Sequence, residues 1–184
     1  MKLFNQSLKA ERYLKQIVAQ FGLNVEQQHP LLYAGHDQTL GFKWQLAFQA
    51  NKKLLSQTYK FQLTIDFALP EHDELKDGLV AYWYPPKKEW RVKKGQNQQL
   101  ANDLNQQAAL QESVQSVDIE KLELRKKGDT LQLTLIPIPG CYLFVMIPPM
   151  QYFVKLHPKE VAAMKKLAPL IHGTLKKWER KSVG

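Results

Sequence analysis

A chain of 184 residues can bury one sizeable core but not two, so residues 1–184 are expected to form a single α+β domain. Hydrophobic residues make up 44% and charged residues 23%, which excludes a disordered chain. The formal charge of +9 comes from 22 Lys and 4 Arg against 17 carboxylates, and it points to anionic partners. Lysine dominance argues against bidentate phosphate recognition, which needs the arginine fork. The lone Cys141 leaves no intrachain disulfide and no cysteine-based zinc site. The opening "MKLFNQSLKAERYLKQ" has no apolar run of signal-peptide length, so a soluble cytoplasmic bacterial-type protein is expected.

Leu14, Ile17, Val18 and Phe21 recur at helical spacing and predict a first helix that ends at Gly22. "GFKWQLAFQA" alternates, with Phe42, Trp44, Leu46 and Phe48 on one face, and "TYKFQLTIDFALP" does the same from Tyr59 to Leu69. Period two over this length predicts antiparallel strands with one dry and one wetter face. "GLVAYWYPPKKEWRVKKG" predicts two short strands about Pro85-Pro86, because adjacent prolines mark a turn or a sheet edge. A Gln/Asn-rich helix is predicted over roughly residues 97–114, with Leu100, Leu104 and Ala108 inward. "LELRKKGDTLQLTL" reads as a hairpin turning at Lys127-Gly128-Asp129.

From Thr130 to Val154 no residue is charged, a span long enough to cross a bilayer as a helix. Pro137, Pro139, Gly140, Pro148 and Pro149 interrupt it, and Gln132 and Thr134 alternate with leucines. The stretch therefore predicts strands rather than a membrane span, with residues 141–147 buried on both faces and a turn at Pro148-Pro149. A final amphipathic helix starts at Pro158, carries Val161, Met164, Ala168, Ile171, Leu175 and Trp178 inward, and kinks at Pro169. The expected fold is an antiparallel sheet of six to eight strands with three main helices, in the order α-β4-α-β4-α. The two "PP" turns, each followed by a helix, allow two related strand–helix halves.

The nine glycines stand singly, so a phosphate-cradling loop is excluded, and no G-x-S-x-G or H-E-x-x-H motif occurs. Cys141 sits among Gly140, Tyr142, Leu143 and Phe144 and reads as packing rather than as a nucleophile. "PEHDELKDG" gathers Glu71, His72, Asp73, Glu74 and Asp77, and "AGHDQTLG" holds His36-Asp37; both read as loops, and their spacings fit no metal-ligand scheme. No cofactor, metal or catalytic residue is assigned.

Two basic surfaces and one apolar interior remain. In "YWYPPKKEWRVKKGQ", Lys87, Lys88, Arg91, Lys93 and Lys94 outnumber Glu89 and interleave with Trp83, Tyr84 and Trp90, the pattern that single-stranded nucleic acid requires. The same residues also describe a strand pair whose rings enter the core and whose lysines guard an edge. Residues 155–184 carry seven Lys and one Arg against two Glu, with Lys176, Lys177 and Arg180 at the carboxyl end of the last helix. Trp44, Phe61, Tyr142, Phe144 and Met146 could line a cavity or fill a core. The expected function is a non-catalytic interaction module that meets an anionic or protein partner, nucleic acid included, through the basic surface. A carrier of a small apolar ligand held between sheet and helices is the alternative, and a hydrolase using His36, Asp37, Glu71 and His72 is the third reading. A homodimer across a free sheet edge is a further option, and no transmembrane segment is expected.

Overall fold

The computed structural model describes residues 4–68 and 77–179, with side chains over 6–68 and 77–176. In chain order its elements are α1 (Phe4–Phe21), β1 (Glu26–His29), β2 (Leu32–Asp37), β3 (Phe42–Lys53), β4 (Ser56–Ala68), β5 (Val80–Tyr84) and β6 (Glu89–Val92). They continue with α2 (Gln98–Gln106), α3 (Ala108–Gln115), β7 (Ile119–Lys127), β8 (Thr130–Pro137), β9 (Tyr142–Val145), β10 (Met150–Phe153) and α4 (Pro158–Glu179). The α+β class and the antiparallel sheet are as expected. The counts are corrected: among the described residues the sheet has ten strands, four α-helices accompany it, and the order is α-β6-α-α-β4-α.

The alternation read in the sequence sets the two faces of the sheet. Phe42, Trp44, Leu46 and Phe48 of β3 and Phe61, Leu63, Ile65 and Phe67 of β4 are buried on the inner face. Helices cover that face: the Phe21 ring of α1 lies 5.8 Å from Phe61, and His172 of α4 lies 5.5 and 5.8 Å from Phe42 and Phe67. Val161, Met164, Leu167, Ala168, Ile171 and Leu175 make up the buried seam of α4, which runs on through Pro169. The outer face is polar. Gln132 donates to Asp66 at 2.9 Å, Gln62 donates to Thr64 at 2.9 Å, and Arg125 pairs with Glu123 at 2.9 Å. Burial alone raises the Glu123 carboxyl, but the Arg125 and Lys121 cations outweigh it and hold the group below its ordinary value.

The sheet forks at β4. On one side β4 pairs with β3 from Ser56 to Asp66. On the other, residues Leu63–Ala68 pair with β8 while Ser56–Tyr59 pair with β9. The chain between them, 138–141, cannot stay in one ladder, because Pro137 and Pro139 lack the N–H that a ladder needs. One branch then runs β8-β7-β5-β6 and the other β9-β10. Each branch ends in a hairpin whose turn holds a proline pair, Pro85-Pro86 or Pro148-Pro149, and each hairpin leads into a helix. Gly140 marks the fork with φ +87°, and a side chain there would press on Phe61 at 3.2 Å.

Three local readings are revised. First, β1 and β2 escape the period-two pattern: β1 is exposed at all four residues, and β2 is indented at Gly35. Residues 24–25 cross Gly35 so closely that a Cβ would meet the Asn24 carbonyl oxygen at 2.1 Å. Second, the Gln/Asn-rich helix is two helices, broken at Gln107, whose backbone is extended. The break resets the helical phase, so Leu110 and Val114 turn inward while Ala108 is exposed. The Gln107 side chain accepts a hydrogen bond from Thr174 of α4, which supports the break. Third, residues 141–147 are not buried on both faces. Tyr142 and Phe144 are buried, Leu143 and Val145 are half-buried, and Met146 and Ile147 are exposed.

Candidate interaction surface

The third revision locates the candidate site. By register, Thr58 pairs with Leu143, Ser56 with Val145, Met150 with Val145 and Tyr152 with Leu143. Thr58 lies on the outer face, so Leu143, Val145, Met150 and Tyr152 do as well. The outer face, polar elsewhere, is apolar here. The β9–β10 turn adds Met146 and Ile147, and the β3–β4 turn beside it adds Leu54 and Leu55. The Met146 N–H donates to the Leu55 carbonyl at 2.9 Å and ties the two turns together. Among the described residues nine large hydrophobic side chains are exposed, and six belong to this one surface. The most exposed are Leu54 at 90% and Ile147 at 71%. Scattered single exposures need no explanation, but a contiguous apolar surface at the end of a sheet marks an interaction site.

Local sequence makes the surface still more unusual. Lys53 pairs with Ser56, so Leu54-Leu55 fill a two-residue hairpin turn, where Asn, Asp and Gly ordinarily stand. The opposite face of β9–β10 is firmly anchored. Tyr142 packs between Tyr13 and Tyr59 at 5.1 and 5.7 Å, and Tyr13 stacks on Phe153 at 4.2 Å. The Tyr142 hydroxyl donates to the buried Gln6 side chain. Burial pushes that hydroxyl up to about 12, with Tyr13 and Tyr59 adding to the rise. The exposed outer face therefore rides on a well-packed inner one.

Charge around the surface has one sign. No carboxylate side chain occurs in residues 1–10, between Asp37 and Asp66, or between Asp129 and Glu160, the stretches that supply both turns and the adjoining start of α1. Lys52 and Lys53 are exposed at the end of β3, and Lys9 of α1 donates to Gln151 of β10 at 2.8 Å. The nearest carboxylate in the pairing scheme is Glu120 of β7, and Lys60 neutralises it.

The basic hairpin is dispersed. Lys87 and Lys88 sit in the exposed turn after Tyr84, with Lys88 in the left-handed region at φ 51°. Lys93 and Lys94 are exposed beyond the other end of β6, about 17 Å from Lys88 at the rise of an extended strand. Arg91 lies between them on the outer face, bonded to Glu89 at 2.7 Å and stacked 4.1 Å over Tyr84. Trp90 is buried, as is Trp83, 6.2 Å away. Its backbone N–H and C=O both bond the side-chain amide of Asn105 from α2, which closes the β6 edge. By register the turn at Lys87-Lys88 opens toward the same end of the sheet as the two apolar turns, and Lys93-Lys94 lie at the opposite end.

Lys176 of α4 is exposed; the Lys177 side chain and Arg180 lie outside the described residues. Of the apolar set, Trp44, Phe61, Tyr142 and Phe144 belong to the packed core, whereas Met146 is on the exposed turn. A half-open cleft of about 410 Å³ borders Trp44, and it is lined by Gly22, Leu23, Asn24, His36, Asp37 and Gln38. Its rim is largely polar. Asp37 serves as a turn cap there, accepting from the N–H groups of Thr39 and Leu40 at 2.9 and 3.1 Å. Glu71, His72, Asp73 and Glu74 lie outside the described residues, and Asp77 caps the β7–β8 turn by accepting from Gly128 N–H at 2.9 Å. Burial pushes the Cys141 thiol above its ordinary value, and the thiol contacts the Pro137 carbonyl at 3.6 Å. Among the described residues no cluster of His, Cys, Asp and Glu could hold a metal ion, and no helix is long and apolar enough to cross a membrane.

Residues 19–175 match the family described as "Protein of unknown function (DUF3156)". The chain belongs to the DUF3156 family. The matched segment begins within α1, ends within α4 and includes both apolar turns. No curated protein and no solved structure matches the chain.

Proposed function

We propose that this DUF3156 chain is a non-catalytic interaction module, and that it docks through the apolar surface built by the β3–β4 and β9–β10 turns. One observation carries the reading: Leu54, Leu55, Met146, Ile147, Met150 and Tyr152 are exposed together on two turns joined by a backbone hydrogen bond. A folded domain gains nothing from aliphatic side chains at its turn apices, so their value lies in being covered by something else. The lysines at the rim favour a partner with negative charge, as the overall charge of +9 does. Lys87 and Lys88 extend that preference along the same end of the sheet; Arg91 is engaged within the fold and Trp90 serves the core.

The test is sedimentation of the chain in a whole lysate, membranes included, of cells that encode it. Wild-type protein is expected in a species larger than the 21.3 kDa chain, and a Leu54→Ser/Ile147→Ser variant as the free chain. If both run as the free chain, the docking reading fails. Native mass spectrometry of the purified protein addresses the carrier reading. A reproducible extra mass of small-molecule size would favour a carried ligand over docking.

A further inference from the structure

We infer that the occupant of this surface is the face of a lipid bilayer rich in anionic headgroups, entered by the two turn apices. The inference rests on the docking reading above and names its partner. Shape comes first. The most exposed side chains, Leu54 and Ile147, are at the apices of two adjacent turns. A stable protein partner or a second copy needs a matched patch of roughly 800 Å² on each side. The apices themselves are two narrow turns, and a bilayer closes around a protrusion of any outline without needing a matched patch.

Backbone chemistry points the same way for the β9–β10 turn. A turn that enters hydrocarbon exposes N–H groups with no water to bond them, and each is costly. The β9–β10 turn has few to expose. Pro148 and Pro149 have no N–H, and that of Met146 is already bonded to Leu55. Only the Ile147 N–H of the turn lacks such cover in the pairing scheme. The side chains are aliphatic or thioether at the apex, with the amphipathic Tyr152 farther down the strand, the order found across a membrane–water boundary.

Charge completes the argument. Lys52 and Lys53 follow directly behind Leu54 along β3, and the segments that build the two apolar turns contain lysines but no carboxylate. A lysine near an anionic bilayer strengthens binding about fivefold. Apices of this size would enter about 5–10 Å, to the boundary between headgroups and acyl chains.

The test uses the full chain with vesicles of phosphatidylglycerol mixed into phosphatidylcholine, and with vesicles of phosphatidylcholine alone. The wild-type protein is expected to sediment with the anionic vesicles, much less with the neutral ones, and less as salt is raised. Lys52→Ala/Lys53→Ala should weaken the anionic partitioning by about twenty-fivefold, and Leu54→Ser/Ile147→Ser should remove it while the melting temperature stays unchanged. Absence of wild-type binding at low salt overturns the inference, as does a serine variant that binds like wild type. If vesicle binding is absent but the lysate complex persists, the occupant is a protein and the docking reading stands. A dimer in analytical ultracentrifugation that the serine variant loses would assign the surface to a second copy and overturn the lipid inference. Loss of both the vesicle and the lysate signals ends both readings.

Discussion

Replacing Asn105 by alanine should unseal the β6 edge of the sheet. Asn105 mimics an additional strand residue: its side-chain oxygen accepts from Trp90 N–H at 2.6 Å, and its amide donates to Trp90 C=O at 2.9 Å. Alanine removes both bonds and strands two backbone groups beside a residue only 1% exposed. A typical bond contributes about 1 kcal/mol net, and a buried group left unpaired costs about 1–3 kcal/mol. Asn105 itself is half-buried, so water restores part of the loss, which places the cost near 2 kcal/mol. For a domain of this size that is a fall of about 4–8 °C in melting temperature. The assay is urea unfolding followed by far-ultraviolet circular dichroism, alongside a thermal melt. Asn105→Asp sharpens it. The carboxylate still accepts from the Trp90 N–H but faces the Trp90 carbonyl with no proton to donate. It should cost at least as much as alanine at neutral pH and recover as the carboxyl protonates in acid. A cost under about 0.5 kcal/mol for alanine, the range of an ordinary surface change, would refute the edge-closing role.

Two other predictions address the packing beneath the site. Gly35→Ala should cost more than about 2 kcal/mol in the same urea assay, because the new Cβ meets the Asn24 carbonyl oxygen at 2.1 Å and the Val25 Cα at 2.9 Å, both backbone atoms; a neutral result would mean that residues 24–25 do not cross β2 this closely. Stability should also decline in alkali: the Tyr142 hydroxyl is raised to about 12 in the folded state from about 10 in the unfolded chain, so its contribution is complete below pH 10 and is lost as pH rises from about 10 to about 12. Tyr142→Phe should flatten that decline, and an identical slope in both proteins would sink the assignment.

The parts of the fold legible in the sequence are those in which a single local rule decides. Strand β3 alternates over Phe42–Gln49 and β4 over its 13 residues with Thr64 the one exception, so a single period decides both. Helix α4 keeps its seam through Pro169 because the seam, not local propensity, holds it on the sheet. Long-range contacts decide the rest. Strand β1 has no buried residue to give it a period and exists through its pairing with β2. The break at Gln107 sits where its side chain meets Thr174, 67 positions along the chain.

The candidate surface was hidden for a related reason. An uncharged apolar run such as "CYLFVMI" is what a strand covered on both faces looks like, and only the forked topology shows that no described residue covers its outer side. Once Thr58 is known to pair with Leu143, the parity of β4 carries the assignment from Thr58 to Leu143 and on to Tyr152 without further assumption. The second clue is readable without a structure. Leu54-Leu55 fall between two alternating stretches, at a turn where chain reversal favours Asn, Asp or Gly. The basic hairpin drew attention instead because its charges are consecutive in sequence. Along an extended strand five residues place Lys88 and Lys93 about 17 Å apart, beyond one Debye length in physiological salt, so nearness in sequence does not make one electrostatic surface.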